Sequence, residues 1–232
     1  MSSAAVFDYG DSLLSIGMVL VAPPHRRRGL ARAVMDRCLS MAGRRPSTLI
    51  ATPVGEPLYV GLGFVEVGRV VRMSVESAAA GADGAAAGKR LPSIAGNDAR
   101  AVEQLDHEAY GANRSALLRS LLARAAATSV VRDARGGVRA FGIAMRQRDQ
   151  LVVGPLIARD ASEALALFRS LAGGYAGAVR IDVPTMQEAF LSSLAGLGLT
   201  PGGESAPIML LGAAGLPGRR EQIHAIASRG FG

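Results

Sequence analysis

Val19-Leu-Val-Ala-Pro-Pro-His-Arg-Arg-Arg-Gly-Leu-Ala-Arg-Ala-Val-Met35 marks a change of period in the chain. The apolar run 14–21 that leads into it suits a buried strand, and Pro23 and Pro24 end that strand. Beyond it Leu30, Val34, Cys38 and Met41 recur at helical spacing, Arg32, Asp36 and Arg37 fall mostly on other faces, and Gly43 supplies a stop. The first backbone N–H groups of such a helix have no partner inside it and can cradle a pyrophosphate. Gly29 and Ala31 are small enough to let an anion reach the backbone. Arg26, Arg27 and Arg28 add a field of the right sign, and arginine grips phosphate oxygens in a two-pronged way. A solvated basic helix start is the competing reading, and a pattern this short does not decide between them.

Working outward, residues 48–52 read as a short strand, 55–62 as a helix and 64–75 as a strand, so the first segment runs β, α, β, α, β. Residues 76–88, ESAAAGADGAAAG, offer almost no side chain that could fill a core and read as a linker. After it, 98–122 suits one or two helices, and 129–132, 138–145 and 151–158 suit strands. A helix over 161–171, a strand over 178–183, a helix over 187–194 and a strand over 207–211 follow. The expected division is 1–76, a linker over 77–90, a second domain over 91–213 and a tail over 214–232. The two segments look like versions of one unit. Pro53 stands six residues before Tyr59 and Pro184 six before Phe190, and both helices run into a Leu-Gly pair, Leu62-Gly63 and Leu197-Gly198.

Composition narrows the classes. The chain of 232 residues is 49% hydrophobic and 19% charged, enough for one large or two small domains. No apolar run is long enough to span a membrane and no secretory pattern opens the chain, so the cytoplasm is the default expectation. One cysteine and three scattered histidines exclude a disulfide framework and argue against a metal. The excess of 26 Lys+Arg over 19 Asp+Glu suits an anionic partner, but aromatics for base stacking are scarce at 4%, which disfavours nucleic acid against a compact anion.

The run 19–35 resembles the acetyl-CoA motif of the GNAT-type N-acetyltransferases, in which a strand ending in Val near a Pro leads to Arg/Gln-x-x-Gly-x-Gly/Ala at a helix start; Arg26, Gly29 and Ala31 fill those places. The family's second motif resembles Leu58-Tyr59-Val60-Gly61-Leu62-Gly63-Phe64. The resemblance implies an α/β (α+β) fold of two GNAT-like domains with mixed, mainly antiparallel sheets flanked by helices, the first lacking its N-terminal elements. It implies that Val19, Leu20 and Val21 hold the pantetheine arm of acetyl-CoA through their backbone, that Arg26, Arg27, Arg28, Gly29, Leu30, Ala31 and Arg32 hold its pyrophosphate, and that Tyr59 is the general acid. A phenol in reach of the leaving thiolate can protonate it; the bland alternative is a half-buried tyrosine packed on the core. The resemblance also implies a small-molecule or protein amine as acceptor and a reaction without a metal.

The departures matter as much. Asp8, Asp11, Glu56 and Glu66 lie near the expected cleft, yet none holds a motif position, so no general base is assigned. His25 reads as a loop residue and Cys38 as core. A shortened first domain would expose a sheet edge and an apolar face, to be covered by the C-terminal domain, by a second copy in a homodimer, or by more chain. In the second segment Arg159-Asp160-Ala161-Ser162-Glu163 puts carboxylates where the first has arginines, and Phe190 replaces Tyr59, so this copy is expected to be silent. The alternative function is a degenerate acyl-CoA-binding or regulatory protein that kept the fold.

Overall fold

The computed structural model describes residues 1–76 and 90–231. The stretch expected as a linker lies almost wholly outside them. In the first segment β1 (Ser2–Asp8) and β2 (Leu14–Val21) form a hairpin, α1 (Leu30–Ala42) leads to β3 (Ser47–Ile50), and α2 (Glu56–Val60) leads to β4 (Val65–Val75). The second segment opens with α3 (Ala99–Tyr110) and α4 (Ser115–Ala123), followed by β5 (Ala127–Arg132), β6 (Val138–Gln147) and β7 (Gln150–Ile157). Then come α5 (Ala161–Ala172), β8 (Ala178–Pro184), α6 (Glu188–Gly196), the two-residue β9 (Thr200–Pro201) and β10 (Ala206–Leu211). A strand absent from the sequence reading, β11 (Ile223–Ala225), lies in the tail.

The strands of both segments form one open sheet in the order β1-β2-β3-β10-β4-β8-β7-β6-β5, with β11 on β7 and β9 on β4. The expectation of separate sheets fails because the segments exchange strands. β10 of the second segment pairs antiparallel with both β3 and β4 of the first, and β4 in turn pairs antiparallel with β8. Read outward from the β10–β4 junction, the two arms repeat each other: β3, β2, β1 on one side and β8, β7, β6 on the other. Each arm holds one parallel pair, β2–β3 and β7–β8, and every other pairing is antiparallel. The edges of β3 and β4 that the first segment would leave bare are thereby hydrogen-bonded.

Helices cover the two faces unequally. On one face Met35, Cys38 and Ala42 of α1 and Tyr59 of α2 pack on Leu14, Ile16, Leu49 and Met209, while α5 and α6 bury Leu167, Phe168, Phe190 and Leu194 on the other arm. On the opposite face Val102, Ala109 and Tyr110 of α3 and Leu118 and Leu121 of α4 meet Val130, Phe141, Ile143 and the tail residues Ile223 and Ile226. The buried stripe of α1 is turned from the one expected. Met41 is 53% exposed, whereas Met35 is fully buried. A stripe through Val34, Met35, Cys38, Leu39 and Ala42 keeps the helical spacing and sets a broader apolar face against the sheet.

Candidate active site

β2 and β3 run parallel for two residue pairs only, Leu14↔Ser47 and Ser15↔Thr48, and then diverge. The register of β2 against β1 shifts between Ser3 and Ala5, and Met18 takes a left-handed φ of 53°. Such a bulge turns backbone groups away from the ladder. The opening between the strands is a cavity of about 230 Å³ lined by Val19 and Leu20 of β2, Ile50 of β3 with Ala51 just beyond it, and Tyr59 of α2. Arg229 and Gly230 of the tail also line it, and no sequence signal had connected them with the site. Ile50 further lines a second cavity, of about 550 Å³, on the α3 side of the sheet.

Tyr59 is 7% exposed, and its ring meets Phe64 edge-on at 6.2 Å. Among the described residues its hydroxyl makes no hydrogen bond, and burial pushes its pKa above that of a free phenol. It therefore carries its proton at neutral pH.

At the other end of β2 the chain makes a short 3-10 turn over Pro23–His25 and enters α1 through Gly29 at φ 75°, a left-handed position that glycine fills without steric cost. The first bond closing α1 is Ala33 N–H to Gly29 O at 3.0 Å. Among the described residues the backbone N–H groups of residues 27–32 donate no hydrogen bond, and no side chain caps the helix. The Arg26 Nε donates to Val21 O at 3.3 Å, and Arg28 Nη1 stands 3.4 Å from His25 Nδ1. Six consecutive N–H groups without a protein acceptor and three adjacent arginines thus stand at a helix start, where the dipole also favours an anion.

The corresponding place in the second arm is closed. At the start of α5 the Asp160 side chain accepts from Glu163 N–H at 2.9 Å and Glu163 accepts from Arg159 N–H at 3.2 Å, a reciprocal cap that leaves its own carboxylates where an anion would sit. Glu163 also pairs with Arg139 at 2.9 Å. β7 and β8 pair from Gln150↔Ala178 to Val153↔Ile181 and then part, but the gap holds the tail. β11 pairs with β7, Ala158 N–H donates to Gln222 O at 3.0 Å, and Ile226 N–H donates to Asp182 O at 3.0 Å. His224, 1% exposed, sets its ring edge against Phe190, the residue in the place of Tyr59.

The candidate carboxylates do not converge on the open cleft. Asp8 is exposed and bound to Arg45 at 2.8 Å, which holds its pKa below the usual range. Glu66 lines the larger cavity but is paired with Arg69 at 2.7 Å. Asp11 is exposed, and Glu56 lines neither cavity. Cys38 is buried in the α1 core, and burial pushes its thiol pKa up. Among the described residues no three His, Cys, Asp or Glu side chains cluster as metal ligands, and no helix is long and apolar enough to cross a membrane.

A parallel strand pair that parts over a basic helix start, with a phenol in the gap, defines the acyltransferase fold built around a splayed sheet. Two stretches match the acetyltransferase (GNAT) domain family, residues 4–74 and 102–225, and the chain belongs to that family as a tandem acetyltransferase. It is 28% identical over 233 residues to the uncharacterized N-acetyltransferase YitH of Bacillus subtilis (strain 168), covering all of this chain and 81% of the relative. A protein from Pyrococcus horikoshii assigned as an acetyltransferase superposes with a TM-score of 0.78 at 21% identity, covering all of this chain and 76% of the other. A tandem GNAT protein from the clavulanic acid biosynthesis pathway gives 0.58 at 17% identity, over 87% of this chain and 75% of its own. At these identities the two structures speak for the fold. Members of the family use acetyl-CoA and act on amines.

Proposed function

We propose that the chain transfers acetyl from acetyl-CoA to an amine by direct attack, in the first cleft alone. The observation that carries this reading is the contrast between the two helix starts: free N–H groups beside arginines at α1, carboxylate-capped ones at α5. The N–H groups and guanidiniums of residues 26–32 would hold the pyrophosphate, and the backbone of residues 19–21, on the edge of β2 that β3 leaves after Ser15↔Thr48, would hold the pantetheine arm. The amine forms the new C–N bond as the C–S bond breaks. The thiolate takes the Tyr59 proton, and the proton shed by the amine goes to water. The second domain, 91–213, acts as a silent partner that lends β10 to the first arm of the sheet, and residues 222–226 of the tail fill its cleft.

Tyr59→Phe tests the role of the phenol. Turnover should fall about 100-fold or more, in the range of a general acid, while acetyl-CoA affinity is kept. Unchanged turnover removes Tyr59 from the mechanism. Acetyl-CoA binding with no transfer to any amine by the wild type would favour the acyl-CoA-binding reading.

A further inference from the structure

The cavity that shares Ile50 with the cleft has mostly apolar walls, among them Leu13, Val67, Ile208, Leu216 and Ile226. Its volume of about 550 Å³ falls within the range of small-molecule sites. Two arginines reach its lining. Arg69 is fully engaged, donating to Glu66 at 2.7 Å, to Ser205 Oγ at 2.8 Å and to Ser205 O at 2.7 Å. Arg220 is not. Its Nε donates to Pro217 O at 2.7 Å and its Nη2 to Tyr110 O at 3.1 Å, which fixes the guanidinium in place, while Nη1 has no partner among the described residues.

Charge near Arg220 does not balance. Its guanidinium lies 4.8 Å from the Tyr110 ring centre, and that ring also carries the guanidinium of Arg114 at 3.2 Å. The carboxylate in this cluster, Asp106, is bound by Arg114 through two bonds of 2.9 and 3.0 Å. Glu66, also in the cavity lining, is taken by Arg69. Among the described residues no carboxylate pairs with Arg220, so an oriented, partly buried cation borders an apolar cavity that shares Ile50 with the cleft. A charge of this kind is costly unless a counter-ion joins it.

We propose that this cavity seats the acceptor and that Arg220 binds a carboxylate on it, making the acceptor an apolar amine with an acid group, amino-acid-like in chemistry. The assignment rests on the acetyl-transfer reading for the amine and on the Arg220 geometry for the acid. Burial pulls the Arg220 pKa down to about 10, so the guanidinium is still charged at neutral pH and can make a charge-assisted bond to an anion.

The test uses the full chain without acetyl-CoA and two probes of one shape, 3-phenylpropanoate and 3-phenylpropan-1-ol, titrated by calorimetry. The carboxylate should bind about 10- to 100-fold more tightly, as a charge-assisted bond implies, and Arg220→Gln should bring the ratio close to one with the melting curve retained. Should that variant not fold, the Arg220 Nε–H signal in the wild-type NMR spectrum decides: it should move with the carboxylate and stay with the alcohol. Equal binding, no binding of either probe, a preference that survives Arg220→Gln, or an unmoved Arg220 signal overturns the subsite. Acetyl transfer to phenylalanine and to phenethylamine is read separately. Carboxylate binding with transfer to neither amine overturns the transferase reading alone, and equal kcat/KM for both overturns the subsite alone.

Discussion

Gly154→Ala reads out whether the tail occupies the second cleft. Gly154 sits at φ 150°, and a Cβ there would collide with the carbonyl oxygen of Ile226, a backbone atom that cannot swing aside as a side chain would. A non-glycine residue in this region costs about 1–3 kcal/mol. Moving Ile226 also loosens its N–H bond to Asp182 O, about 1 kcal/mol more. Together these come to about 2–4 kcal/mol, or a Tm lowered by roughly 4–16 °C for a chain of this size. Calorimetric melting measures the loss, and amide exchange at Ala225 and Ile226 shows where it falls. Displacing the tail should not create a second cofactor site, because Asp160 and Glu163 still cap α5. A Tm within about 2 °C of wild type, with exchange at Ala225 and Ile226 unchanged, would refute the placement of the tail.

Other outcomes follow from buried charge. Asp106→Asn leaves Arg114, with a fully buried side chain, without its counter-ion and should cost about 3–5 kcal/mol, seen as a lower midpoint in urea; an unchanged midpoint contradicts the pairing. His224 is buried, and burial lowers its pKa from 6.5, although Asp160 and Glu163 pull the other way. The unfolded chain then binds the proton more readily, so its contribution to stability is present above pH 6.5 and is lost as pH falls below that value. His224→Asn should flatten that part of the stability–pH curve, and a curve of unchanged slope argues against a neutral buried imidazole. Gly17→Ala should disturb the first cleft as Gly154→Ala disturbs the second, since its Cβ would meet the Gly230 carbonyl. Its acetyl-CoA affinity should fall, and wild-type affinity would show that the tail does not wall the cleft.

Much of this was legible from local pattern. The run 14–21 and the strand 64–75 gave β2 and β4 nearly to the residue, because apolar runs cut off by Pro and Gly leave little freedom in where a strand stops. The Pro-to-aromatic spacing at Tyr59 and Phe190 exposed the repeat, since each helix sets its aromatic ring into the core of its own arm. Strand exchange was illegible: nothing in Pro207-Ile208-Met209-Leu210 says that it pairs with Ser47–Ile50 instead of its own segment's strands. Such a choice is made by long-range packing, to which period and propensity are blind. The tail was hidden for a related reason. Its Ile223 and Ile226 look like any short apolar pattern, and only the gap between β7 and β8 gives them a role. Arg220 and Arg229 were unremarkable members of a basic composition until the fold set one beside a cavity and the other on Asp182.

The proposed function requires that one cleft is open to acetyl-CoA and that the chain itself closes the other. Calorimetric titration of the full chain with acetyl-CoA tests it most directly, repeated with Arg26→Ala and with Ala31→Glu, which gives α1 a carboxylate like those at α5. The account predicts one site per chain, weakened by Arg26→Ala and abolished by Ala31→Glu while the melting temperature without ligand is kept. Two sites per chain, none, or binding that survives Ala31→Glu would contradict it.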